Sequence, residues 1–168
     1  MKPQINILVT LLSLALLACQ PNRQADLAPA DGQTHFAIAI GGQELQLQLA
    51  VNSAEQQKGL MHRDSMPEDH GMLFLFDQPA QRSFWMRNTR IPLDIGYFDA
   101  SGHLLEVHKL FPYDETPVPS ANDQVLIAVE TNRGWHAAHG VKPGARIDMT
   151  ALQTALKRRQ HANSALKP

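Results

Sequence analysis

The sequence predicts a mainly β domain with two or three short helices, closed into a compact β-barrel or β-sandwich. Three observations lead there. Short apolar runs recur at strand-like intervals, and Leu45, Leu47 and Leu49 alternate strictly with polar residues. The stretches between runs carry Gly, Pro, Asn and Asp, with no regular alternation of strands and long helices and no internal repeat.

The elements follow in order. Residues 34–40 and 44–49 flank Gly41-Gly42, which supply the positive φ of a tight hairpin turn. Ser53 is expected to cap a short helix, with Gln56 as the reciprocal capping-box partner and Gly59 as the stop. Strands are expected at 72–76, 83–86, 94–98, 104–110 and 125–129, with Ala100-Ser101-Gly102 turning between the third and the fourth of these. A second short helix fits 132–139, stopped by Gly140, and Lys142-Pro143-Gly144 turns the chain into a last strand around 146–149. A helix over 151–159 ends in Lys157, Arg158 and Arg159, which suit the negative end of a helix dipole.

The N-terminal residues read differently. Lys2 precedes an apolar stretch over 5–18, 14 residues interrupted by Asn6, Thr10 and Ser13. A spanning helix needs roughly 20 apolar residues, so 1–18 is expected to be a secretory signal. Leu16-Leu17-Ala18-Cys19 resembles the lipobox of bacterial lipoproteins, which implies lipid on the Cys19 thiol after cleavage. Cys19 is the one cysteine of the chain, which excludes an internal disulfide. A simple signal peptide that leaves a free thiol is the alternative. Gln20 rather than Asp follows, which in a Gram-negative host resembles outer-membrane sorting of a periplasm-facing lipoprotein. Residues 19–33 hold one large apolar side chain, Leu27, and are expected to be a flexible tether. The folded domain is expected over 34–150, followed by a helix and frayed tail over 151–168.

Charge narrows the partners. The chain carries 15 basic and 16 acidic side chains; removing Lys2 with the signal leaves 14 against 16, a formal charge of −2. No polybasic cluster occurs, which argues against nucleic acid or anionic headgroups as main partner. A monomer that meets the membrane through its lipid, and a small ligand or an envelope protein through its domain, is expected.

The blocks Lys58-Gly-Leu-Met-His-Arg63, Gly71-Met-Leu-Phe-Leu-Phe76, Phe84-Trp-Met-Arg-Asn-Thr89 and Ile91-Pro-Leu-Asp-Ile95 stand in a fixed order. Asp99-Ala-Ser-Gly102, Val129-Glu130, Gly134-Trp135 and Gly140-Val-Lys-Pro-Gly144 come after them. Together they resemble the domain of unknown function 192 family over residues 45–149. The resemblance implies a compact, mainly β, often exported domain, and no assigned reaction. Gly144-Ala-Arg departs from the Gly-Asp common after that turn.

Three sets of side chains could carry chemistry. Met61, Met72, Phe84, Trp85 and Met86 are soft or aromatic; with His62 and His70 they could hold Cu(I), or they could fill a core or line an apolar groove. His136 and His139 stand three apart on an expected helix, a spacing that can chelate, but no third ligand is evident. Arg63, Asn88, Thr89, Asp94 and Glu130 sit beside apolar strands. They could form a structural network, line a ligand pocket together with Trp85, or, for Asp94 and Glu130, act as the acid and base of a hydrolase on cell-wall or polysaccharide material. No Gly-x-Ser-x-Gly, His-Glu-x-x-His or phosphate-cradling glycine loop occurs. A non-enzymatic binding domain without a cofactor is therefore the favoured expectation, with the hydrolase and the soft-metal carrier as alternatives.

Overall fold

A computed structural model of the chain describes residues 30–165, with side chains up to 160. The expected signal, Cys19 and most of the expected tether thus lie outside the described residues. Eleven elements follow along the described residues: β1 (His35–Ile40), β2 (Gln43–Ala50), α1 (Ser53–Lys58), β3 (His70–Ala80), β4 (Ser83–Phe84), β5 (Leu93–Phe98), β6 (Leu104–Leu110), β7 (Val118–Pro119), β8 (Val125–Asn132), α2 (Trp135–Ala138) and α3 (Met149–Ala165).

Six strands form one mixed sheet in the order β1-β2-β3-β8-β5-β6, and β4 pairs with β7 in a separate two-stranded sheet. The hairpin of β1 and β2 forms as expected, with Gly41 and Gly42 at φ 59 and 81 and Ile38 opposite Leu45. β2 and β3 run parallel, which requires the crossover through α1 and the following loop. The other pairings in the sheet are antiparallel.

The fold is mainly β with three helices, but no closed barrel is found. The segment expected to be a last strand explains the difference. It makes two isolated bridges, Ile147 to Ile40 and Arg146 to His103, rather than a ladder. Gly41 N donates to Arg146 O at 2.9 Å and Ile147 N to Gly102 O at 2.9 Å. This segment therefore ties the end of β1 to the start of β6, the two edges of the sheet, without continuing either edge.

Each face of the sheet buries its own core. On one lie Leu47, Leu49, Leu73, Ile127, Val129 and Trp135, completed by Leu152 and Ala155 of α3. On the other lie Leu60, Met72, Phe74, Met86, Ile95 and Tyr97, under α1 and the small sheet. Tyr97 Oη donates to Val118 O at 2.8 Å, pinning the small sheet to the large one. Ala30 is buried in the same core as Leu152 and Ala155.

All three helix starts differ from expectation, with α3 beginning at Met149 rather than at 151. Asn52, not Ser53, caps α1: its side chain accepts from Glu55 N at 3.0 Å. Glu55 completes the turn by accepting from Val51 N at 2.9 Å and from the buried Arg159 of α3, while Gln56 donates to Leu75 O at 2.7 Å. The expected helix over 132–139 shrinks to four residues because β8 runs on to Asn132 and Gly134 turns the chain at φ 86.

Candidate functional site

A cleft of about 480 Å³ opens on the second face of the sheet, between the end of α1, β3 and the small sheet. Its construction follows from local sequence. β3 breaks register with β8 after Leu75 and pairs with it again at Ala80–Val125, and Phe76 in the irregular stretch lines the cleft. Ser120 fixes the opposite wall: its N–H donates to Arg82 O at 2.7 Å and its Oγ accepts from Arg82 N at 3.0 Å. Phe84 packs edge-on against Phe74, with ring centroids 5.0 Å apart, and Trp85 is left 47% exposed at the mouth. Gly59 ends α1 at φ 47, and a Cβ there would approach the Phe74 ring at 3.5 Å and Glu130 Oε2 at 3.9 Å. A side chain at 59 would therefore be strained and would narrow the cleft.

Glu130 lines this cleft and is 5% exposed. Among the described residues no donor reaches its carboxyl within hydrogen-bond distance. Burial pushes its pKa up to about 8, and the nearby positive charge of Arg63 opposes that shift only in part. At neutral pH the group is therefore mostly a neutral carboxylic acid that can both donate and accept.

The residues expected to carry function separate in space. Glu130, Thr89, Trp85 and Met61 line the cleft. Arg63 donates to Gln48 Oε1 and lines an adjoining cleft of about 260 Å³ that shares Lys58 and Gly59. Asn88 is a turn residue, at φ 55, whose carbonyl accepts from His62 N at 2.9 Å.

Asp94 lies elsewhere. In the β5–β8 ladder Ile95 faces Glu130 and Asp94 faces Thr131, and directly opposed residues share a face while successive ones alternate. The Asp94 and Glu130 carboxyls thus project from opposite faces of the sheet, which removes the geometry an acid–base pair needs on one bond. Asp94 instead accepts from Gly134 N at 2.8 Å and stands 3.4 Å from Arg133. Beside it, Thr131 Oγ1 lies 3.4 Å from His136 Nδ1, but Thr131 is fully buried, so the cluster presents no nucleophile to solvent.

The soft-ligand set is likewise dispersed. Met61, Met72 and Met86 each line a different cleft. His70 pairs with Asp69 at 2.8 Å and packs edge-on against His35. Of the helical pair, His136 is buried while His139 stacks on Trp135. Among the described residues no three His, Cys, Asp or Glu side chains gather as a metal set, and no helix is long and apolar enough to cross a membrane.

Sequence reasoning missed three cleft residues. Lys58 lies in a family block that gives it no role, Arg82 lies in a loop without a motif, and Gln56 fits a capping box equally well. Only the charge of Arg82 next to an aromatic run offered a signal.

A small, mixed-sheet domain with a part-aromatic, part-polar cleft over one buried acid is thus the class the fold and site define. The chain belongs to the domain of unknown function 192 family, DUF192 or "Uncharacterized ACR", which matches residues 36–149. Two solved structures resemble it. A protein of unknown function from Novosphingobium aromaticivorans DSM 12444 is 36% identical, with a TM-score of 0.65 over 74% of this chain and 96% of that one. A Sinorhizobium meliloti 1021 protein, provisionally described as a transcription regulator, is 32% identical, with a TM-score of 0.64 over 70% of this chain and 97% of that one. No curated protein matches.

Proposed function

We propose that this chain is a non-enzymatic binding protein of the bacterial envelope, anchored through lipid on Cys19, that takes a small ligand into the cleft over Glu130. The observation that carries the binding reading is the Glu130 carboxyl, nearly buried yet lining an open cleft, with Arg63 as the charge nearby. The cleft volume falls within the range of small-molecule sites, and an aromatic wall of Phe74, Phe76, Phe84 and Trp85 faces a largely polar remainder that can fix a ligand's orientation. The opposed placement of Asp94 and Glu130 supports binding over hydrolysis by a carboxylate pair. The anchoring part rests on the signal-like stretch and the cysteine that closes it.

Two measurements test the reading. Fractionation of cells that make the wild-type chain or Cys19→Ser should find the first with membranes and the second soluble; equal partition removes the anchor. Amide NMR of the protein against a mixture of small acids, amides and sugars should shift Gly59, Phe84 and Glu130 together. Shifts scattered over the surface, with none in the cleft, would sink the binding role.

A further inference from the structure

The charges around the cleft indicate what kind of ligand enters it, an inference that rests on the cleft being a binding site. We infer that it selects a small organic anion with a flat apolar body: the charge is held by Lys58 and Arg82, the body lies against Phe84 and Trp85, and the buried Glu130 carboxyl donates a hydrogen bond from the floor.

Of the side chains that line the cleft, only Lys58, Arg82 and Glu130 are ionisable. With Glu130 mostly neutral, because desolvation holds its pKa near 8 although Arg63 opposes that shift, the lining itself carries two positive charges and no full negative one, while Asp77 outside the lining offsets part of the charge of Arg82. This local excess stands in a chain whose acidic residues outnumber its basic ones, 16 to 15, so it does not follow from composition. An ammonium ligand would meet two cations and an acid that offers it no charge. An anion meets the opposite, since a neutral carboxylic acid is a strong donor to a carboxylate.

The cation at Arg82 is held in place before any ligand arrives. Its guanidinium stacks on the Phe76 ring, 4.0 Å from the centroid, and its backbone is clamped by Ser120 on both sides. Lys58 sits in the last turn of α1, where it also offsets the negative end of that helix. The apolar half of the site is equally fixed: Phe84 is wedged between Phe74 and Phe76 in edge-to-face contacts, with centroids 5.0 and 6.5 Å away. Trp85 beside it offers a broad, half-exposed surface. A flat ring suits that wall better than a branched aliphatic group.

The test uses the full chain and four probes: benzoate, benzamide, benzylammonium and inorganic phosphate, each titrated while the amide shifts of Gly59 and Glu130 are followed. Benzoate is expected to saturate at millimolar concentration or below, benzamide to bind about tenfold more weakly, and the other two to give no saturation. Above a pH of about 8, benzoate affinity should fall about tenfold per pH unit as Glu130 ionises, and Glu130→Gln, which stays neutral and keeps a donor, should remove that fall. Lys58→Met, at an exposed position, should weaken benzoate about tenfold and leave benzamide unchanged. Benzamide binding as tightly as benzoate overturns the anion inference while leaving a binding cleft in place. Phosphate binding as tightly as benzoate overturns the apolar half. A Glu130→Gln protein that is folded by circular dichroism yet keeps the alkaline fall overturns the role given to Glu130, and failure of benzoate to saturate overturns the whole inference.

Discussion

Glu130 couples the cleft to the stability of the fold. A carboxyl with an ordinary value of 4.5 in the unfolded chain and about 8 in the native one takes up a proton on folding. Its contribution is fully present below the unfolded value and is lost as pH rises through the folded one. Between those values stability should fall by up to about 1.4 kcal/mol per pH unit, and above about 8 the fold carries a buried charge. Glu130→Gln has no proton to lose. Urea midpoints measured from about pH 5 to about pH 9 should slope downward for wild type and run flatter for the variant, which becomes the more stable of the two at the alkaline end. Parallel slopes would mean that the carboxyl titrates normally. The difference between the two proteins carries the result, because every other titrating group is common to both.

At the scale of elements, α1 decides the shape of the cleft, and its start is set by one side chain. Asn52→Ala removes the acceptor for Glu55 N and should cost about 1 kcal/mol, whereas Ser53→Ala should cost a few tenths. Urea denaturation of the two variants separates them, and a larger loss at 53 would move the cap back to where the sequence pointed. Both assignments satisfy the same pattern, a small polar residue followed three positions later by Glu or Gln, so Asn52 with Glu55 and Ser53 with Gln56 look alike in sequence. What separates them is tertiary: Arg159, more than a hundred residues away, claims Glu55, and Leu75 O claims Gln56. The strands were easier to see. The range 104–110 agrees to the residue, because alternation and flanking turns act locally. β7, only two residues long, has no period to read.

Over the whole molecule, the sheet divides the side chains into two populations that do not meet. Asp94 belongs to the face of Trp135 and His136, Glu130 to the face of the cleft. Asp94→Ala should therefore destabilise the fold by about 2–4 kcal/mol, through loss of the Gly134 N–H acceptor and an uncompensated Arg133, yet leave the affinity of any cleft ligand within about twofold. Thermal denaturation alongside the benzoate titration checks both halves, and a matching loss of affinity would mean that the faces communicate. This division is where sequence reasoning stopped. Asp94 and Glu130 share the same kind of neighbourhood along the chain, and only strand order and register decide on which side each one emerges. The expected barrel failed for a related reason: apolar alternation reports that a strand has a buried face, but not whether its sheet curls shut. Here β2 and β3 run parallel and residues 146–147 bridge the edges at two points only.

That arrangement also governs how the domain bears mechanical load. A force applied at the N-terminal end of β1 reaches the sheet at an edge strand, three places from β8 in the strand order. Tension there acts first on the β1–β2 hydrogen bonds and on the seat of α3 against β1, and only later on the central β3–β8 ladder beneath Glu130. Arg159 of α3 also holds Glu55 of α1, so a pull strong enough to lift α3 from β1 would reach the helix that shapes the cleft.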